Sequence, residues 1–301
     1  MLLNKNFTKN NFILLIIAIF MIFASISNID SVYAVEKAIA NNTNKNSTNL
    51  NTSLNNNTTS SLYSIIYFDK SVGGDVLKNS KISKNMPKSA LSKEIVSMCK
   101  KGSVILKFGN GNGPKMLLCA GIHGDESAAN IATLNFLETI KNKEINGTIY
   151  VIPFIMPKST AIDKRNWYNH DKRYNVDPNR YSHIPGTPGY KIVQFAKKND
   201  IKFIIDIHSG QGLNSYKNGF IFANKKPVSK QETQWLNYIK KTVKPGIIYN
   251  TPEKGYIRGY SRANGITTLT FEVEKNRGSV SHRANIEYKM LINACKYFKL
   301  F

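Results

Sequence analysis

Met116-Leu117-Leu118-Cys119-Ala120-Gly121-Ile122 is an unbroken apolar run of strand length. A strand that is apolar at every position has to be covered on both faces, so it belongs inside a sheet flanked by helices. The next segment fits that demand: from Ser127 to Ile140 apolar residues recur at helical spacing, with Ile131, Leu134, Leu137 and Ile140 on the pattern. Thr148–Met156 reads as another apolar strand, and the alternation continues. Helices are expected over Tyr190–Lys198 and Lys230–Val243, and strands over Phe203–Ile207 and Thr267–Val273. Arg283–Phe298 reads as a closing helix with Ile286, Met290 and Ala294 on one face. Upstream, Val104–Phe108 reads as a strand and Gly109–Gly113 as a hairpin turn. Strands alternating with helices specify an α/β fold, with a mostly parallel or mixed central sheet and helices on both faces. Ligands in such folds bind beyond the C-terminal ends of the strands.

The chain outside this pattern is of two kinds. Residues 1–34 look like an export signal: Lys5 and Lys9 precede an apolar run from Phe12 to Ile26, and Val32-Tyr33-Ala34 offers small residues where a signal peptidase reads. The apolar run is shorter than the roughly 20 residues that span a bilayer, which favours a cleaved signal over an uncleaved anchor. Either way the remainder is expected outside the cytoplasm, secreted or in the cell envelope. Residues 35–61 form a linker, in which 17 of the 20 residues from 41 to 60 are Asn, Ser or Thr. Such a segment cannot bury enough apolar surface to offset its ordering entropy. It holds glycosylation sequons starting at Asn41, Asn46 and Asn51. Residues 62–100 are expected as a small extension, with a possible strand at Ser64–Phe68, and residues 101–301 as the main domain.

Charge narrows the partners. The 301 residues carry 42 Lys+Arg against 19 Asp+Glu, a formal charge of +23. That favours acidic polymers. Export removes nucleic acid from the list and leaves an anionic cell-envelope polymer. Cys99, Cys119 and Cys295 lie far apart with no CxxC, which excludes a disulfide scaffold and a cysteine-rich zinc module. A monomer is expected.

Four strand ends carry polar residues that an inert core does not need. His123-Gly124-Asp125-Glu126 follows a buried strand and opens a helix, and a turn there aims an imidazole and a carboxylate at one point. That pair suits zinc. Asp206-Ile207-His208 ends another strand, and His208 would complete two His and one Glu, leaving a position open for water as in catalytic zinc sites. Asp177-Pro178-Asn179-Arg180 is the third motif, with Arg173 just before it, and Phe271-Glu272-Val273-Glu274 the fourth. Each is weak alone, since an HxxE arises often by chance and a lone strand-end His is usually structural. Their joint occurrence at successive strand ends is what carries weight. The chain has five His, and His170 and His183, in the loop around Arg180, read as solvated, with substrate contact as the alternative.

Taken together, His123-Gly124-Asp125-Glu126, Asp177-Pro178-Asn179-Arg180, Asp206-Ile207-His208 and Thr270-Phe271-Glu272 resemble the zinc carboxypeptidase (M14-type) superfamily, with the related aspartoacylase and succinylglutamate desuccinylase enzymes. The resemblance covers roughly residues 100–300. It is closest to the short murein tripeptide amidases and other γ-D-glutamyl–diaminopimelate carboxypeptidases, which read similarly at GIHGDE and across Gly259-Tyr260, Gly265-Ile266 and Thr270-Phe271-Glu272.

The resemblance implies one zinc per chain on His123, Glu126 and His208, with Asp177 fixing the tautomer of the first histidine. It implies that Arg180, beside Asn179, binds the substrate's terminal carboxylate. Arg173 is the counterpart of the arginine that polarises the scissile carbonyl, and Glu272 that of the catalytic base, with Glu274 a competitor two residues on. The family's mobile tyrosine could be Tyr249, Tyr256 or Tyr260, and Tyr260 is the one taken as substrate-binding. Pro178 departs from the family pattern and stiffens the loop before Asn179. The implied enzyme is a secreted zinc metallocarboxypeptidase acting on murein or pseudomurein peptides with a free carboxylate. An N-acyl amino acid deacylase is the alternative, and a non-catalytic wall-binding module is the remaining class.

Overall fold

A computed structural model describes residues 62–109, 111–169, 174–210 and 217–301. Eight strands form one mixed sheet: β1 (Tyr63–Asp69), β2 (Ser103–Phe108), β3 (Lys115–Ala120), β4 (Thr148–Ile152), β7 (Phe203–Gly210), β8 (Phe220–Asn224), β9 (Gly246–Asn250) and β10 (Thr267–Glu274). Their spatial order is β1-β2-β4-β3-β7-β10-β8-β9. The centre, β4-β3-β7-β10, is parallel. Antiparallel pairs join β1 to β2, β2 to β4 and β10 to β8. Two short strands, β5 (Trp167–Asn169) and β6 (Tyr174–Val176), pair separately.

Alternation along the strands sends side chains to two cores. On one face Leu118, Ile205, Ile207, Leu269, Phe271 and Val273 pack beneath α1 (Ser80–Asn85), α2 (Ala90–Cys99), α3 (Ser127–Ile140), α6 (Lys230–Val243) and α8 (Val280–Tyr297). On the other, Leu117, Cys119, Ile152 and Ile204 meet α5 (Pro188–Lys198) and α7 (Ile257–Ala263). The short α4 (Pro157–Ala161) follows β4. The expected helices on both faces are present. Helix starts are set by caps: Thr187 accepts from the Tyr190 amide with Pro188 at the first position, which begins α5 two residues before the apolar pattern does. Ser229 and Ser279 cap α6 and α8 in the same way.

Two expectations are corrected. Gly109–Gly113 is not a hairpin turn, because β4 lies between β2 and β3 and pairs with both. The loop crosses the start of β4 instead, and Gly109, at φ +90°, comes so near Gly147 that a Cβ would lie 2.1 Å from its carbonyl oxygen. Residues 62–100 are not a separate extension, since Ser60–Phe301 is one compact unit. The expected strand at Ser64–Phe68 is edge strand β1, and Ile82, Ile95 and Val96 lie in the main core. The export signal and the whole of the Asn-rich linker lie outside the described residues. Among those described, no helix is long and apolar enough to cross a membrane. All three cysteines are buried and free.

Candidate active site

The polar residues gather over the C-terminal ends of β3, β7 and β10. After β3 the chain reverses at Gly121, whose φ of +76° is open to glycine and whose missing Cβ leaves room for the Asn130 amide. That reversal brings His123 and Glu126 back over the sheet, with Glu126 at the N-cap position of α3. His208 stands near the end of β7, and Glu272 is its register partner on β10.

Glu126 is the hub. Its Oε1 lies 2.8 Å from His123 Nδ1 and its Oε2 lies 2.8 Å from His208 Nδ1. Oε2 also accepts the Ser209 amide at 3.1 Å. Each histidine is held from behind by a carboxylate: His123 Nε2 meets Asp177 Oδ1 at 2.9 Å, and His208 Nε2 meets Asp206 Oδ2 at 2.9 Å. An Nε2–H that donates to an aspartate leaves the Nδ1 lone pair facing Glu126. Two lone pairs aimed at two carboxylate oxygens need positive charge between them, as protons or as a metal. The three donor groups lie within 4.8 Å of one another and all are buried. Two imidazoles and a carboxylate are a zinc donor set, so these residues fit the ion the sequence implies.

The charges follow from this packing. Burial alone would raise the Glu126 carboxyl, but the facing histidines outweigh it and hold the group well below its ordinary range. Burial would lower His208, yet Asp206 and Glu126 drive it well above its ordinary value. Asp177 is likewise held low against burial by His123, Arg165 and Arg180. Glu272 differs. Its Oε2 is buried without a hydrogen-bond partner among the described residues, and burial pushes its pKa up to about 8.

His123, Glu126, Asp206, His208 and Glu272 line a cavity of about 600 Å³, with Arg165, Arg180, Tyr256 and Arg258 on its wall. Arg180 donates to the Asn179 carbonyl at 3.0 Å and lies 4.2 Å from the Tyr256 ring centroid. Asn179 is buried and already engaged: its Oδ1 accepts the Ile257 amide at 2.8 Å, and its Nδ2 donates to Asp206 at 3.4 Å. It anchors α7 to the site and also lines the cavity.

Tyr260 is not in the cavity wall. It stacks on Tyr190 with ring centroids 5.8 Å apart, and its hydroxyl accepts from Gln194 at 3.0 Å. It sits two residues, about 200° of helix, beyond Arg258 and so faces the opposite way. Tyr256, at the N-cap of α7, is the tyrosine beside Arg180. Glu274 borders a separate small cavity with Arg277 and Arg283, which leaves Glu272 as the carboxylate of this strand at the main site. His183 is exposed. Arg173 and His170 lie outside the described residues.

Three residues reach the site without having been assigned a part in it. Arg165 donates to Glu126 Oε1 at 3.0 Å and to Asp177 Oδ2 at 3.0 Å, tying the two acids together. Asp206 backs His208; its place two residues before His208 puts both on one face of a strand, a period-2 signal present in the sequence. Arg258 had no such signal.

The sequence profile of the succinylglutamate desuccinylase/aspartoacylase catalytic domain matches residues 112–296. The chain belongs to this family. Membership places it among hydrolases. No curated protein sequence matches it. Among solved structures, the succinylglutamate desuccinylase/aspartoacylase of Rhodobacter sphaeroides is similar with a TM-score of 0.52 at 18% identity, covering 66% of this chain and 60% of that one. The tripeptide-bound cell shape determinant Csd4 of Helicobacter pylori gives 0.53 at 14%, covering 66% and 56%. A metallo-carboxypeptidase of Burkholderia cenocepacia gives 0.50 at 14%, covering 64% and 60%. The chain thus spans between 56% and 60% of the length of these three proteins. At such identities the likeness concerns the fold, which is the zinc carboxypeptidase-like one expected of the family.

Proposed function

We propose that the protein is a zinc-dependent hydrolase that cleaves an amide bond next to a residue with a free carboxylate, in peptides of the cell envelope. The observation that carries this is the convergence of His123, Glu126 and His208 with a buried, unpartnered Glu272 in one cavity that also presents Arg180.

His123, Glu126 and His208 would hold the zinc ion, which would supply Lewis acidity and lower the pKa of a water. The chain's own residues do the rest. Glu272, kept from ionising easily by burial, is matched to take a proton at Oε2 near neutral pH and to return it to the leaving amine. Arg173 keeps the part of stabilising the charge that develops on a scissile carbonyl, while Arg165, with Nε, Nη1 and Nη2 all bound to Glu126 and Asp177, holds those two acids together. Arg180 uses Nη1 on the Asn179 carbonyl, 3.6 Å from Asp177 Oδ2, lies against Tyr256, and has its remaining N–H groups to pair with a terminal carboxylate. Secretion through residues 1–34 would place this activity at the wall, and the basic composition would hold it to anionic polymers.

A second reading, release of an acyl group from an N-acyl amino acid, is favoured by the family profile itself. Metal content by mass spectrometry and hydrolysis before and after chelation separate the cases. One zinc per chain with chelator-sensitive release of a C-terminal residue supports the first reading. Zinc with cleavage of N-acyl amino acids alone supports the second, and a protein that takes up no zinc would overturn both.

A further inference from the structure

Arg258 is 5% exposed, lines the cavity and has no ion pair among the described residues. Its guanidinium donates to two neutral amides, Asn224 Oδ1 at 3.2 Å and Asn250 Oδ1. The nearest acids, Asp206 and Glu232, are bound elsewhere: Asp206 by His208, Glu232 by the Asn224 amide and the Val228 N–H. A buried cation without a counter-charge is costly, and a fold keeps one where a ligand supplies the missing charge.

This cation begins a row. Arg262 follows Arg258 by four residues on the same face of α7, and its Nε donates to the Lys226 carbonyl at 3.3 Å. Lys225 and Lys226 are exposed, and the Lys225 amide bonds the Asn250 carbonyl at 2.9 Å, beside Arg258's own partner. None of Arg262, Lys225 and Lys226 has an ion pair among the described residues. Arg262 sits in the last turn of α7, where a cation suits the helix C-terminus, but the like charge of Arg258 one turn before it is unfavourable. Between 217 and 271 ten Lys or Arg stand against two acids, of which Glu232 is buried and Glu253 lines the cavity.

We infer that Arg258, Arg262, Lys226 and Lys225 form a cationic track leading out of the cavity, and that it holds an acidic peptide chain whose end occupies the site. The inference rests on the proposed amide hydrolysis: the cavity handles peptide bonds, and planar guanidiniums pair with carboxylates. The substrate is then the end of an anionic peptide polymer rather than a free small molecule.

The test uses the variant Lys225→Glu/Lys226→Glu/Arg262→Glu, which leaves the cavity residues in place. Two substrates share one terminal dipeptide, either free or carried on an oligoglutamate chain. At low salt the variant should lose about tenfold or more in kcat/KM on the long substrate and less than about twofold on the short one, with the difference shrinking as salt rises. Equal losses on both, or none on either, would overturn the track. Binding keeps this independent of turnover: Glu272→Gln protein should bind fluorescent poly-L-glutamate, and adding the triple change should abolish that binding. Poly-L-glutamate binding unaffected by the triple change, no binding at all, or duplex DNA binding as tightly would overturn the inference. Absence of hydrolysis alone would strike the proposed function, while the binding arm would still be read.

Discussion

Glu272 on β10 stands beside His208 on β7, register partners on adjacent parallel strands at the sheet's C-terminal edge. One residue completes the proposed metal site and the other is the proposed proton carrier. Their spacing is set by the strand ladder, the stiffest element available.

Replacing Glu272 by Gln should keep zinc and remove turnover by about 10²–10⁴-fold. Glu274→Gln, at the separate small cavity, should stay within a few-fold of the parent. Metal analysis with kcat on both proteins decides the matter, and the reverse ranking would move the base to Glu274.

The metal-free protein should lose stability as pH rises from about 5 to 8. A carboxyl whose folded pKa is raised, as Glu272's is to about 8, stabilises the fold below its ordinary value and ceases to do so as pH passes the folded one. His123 and His208, both raised, act in the same direction from their ordinary value upward. Glu126 and Asp177, both depressed, matter only in acid. Urea titrations of chelated protein across that range should show the decline, and Glu272→Gln should make it shallower, the contribution of His123 and His208 remaining. A stability that is constant or climbs would contradict the charge assignment.

Asp206→Asn and Asp177→Asn should each weaken zinc binding about 10–100-fold, because each removes the acceptor that turns an imidazole lone pair toward the metal. Competition with a chelator of known affinity measures this directly. Unchanged affinity in both would mean that the histidines are oriented by packing alone.

Arg180→Ala should raise KM about 10- to 100-fold for substrates with a free terminal carboxylate, the scale of one charge-assisted hydrogen bond lost. Amidated substrates should be cleaved poorly by the parent and no worse by the variant.

Leu118→Ala should destabilise the fold by about 2–5 kcal/mol, since Leu118 is fully buried on β3 between α-helical and strand neighbours that cannot all collapse into the gap. Chemical denaturation with an unchanged m-value would confirm the mechanism.

Much of this arrangement is readable from particular residues. The apolar run at Met116–Ile122 and the helical spacing after Ser127 require a covered sheet, and β3 and α3 are where the periodicity puts them. His123, Glu126 and His208 could be named because imidazoles are few in this chain and two sit next to strand ends. β8, β9 and α7 were not anticipated: Phe220–Asn224 and Gly246–Asn250 are short apolar segments among lysines and asparagines, too brief for a period to declare itself. Tyr260 was misplaced because Tyr256 and Tyr260 are equivalent in a pattern, and only the packing of α7 on α5 separates them.

The chain alone determined its layers and its candidate metal-donor residues, because hydrophobic periodicity and side-chain chemistry are local properties. Which residues share the cavity was decided by tertiary structure. Strand order placed β4 between β2 and β3, His208 next to Glu272, and Arg165 across Glu126 and Asp177. Arg258 became a buried cation without an ion pair among the described residues only when the fold set it against Asn224 and Asn250. Contacts of that kind depend on long-range pairing and on desolvation, which no local pattern encodes.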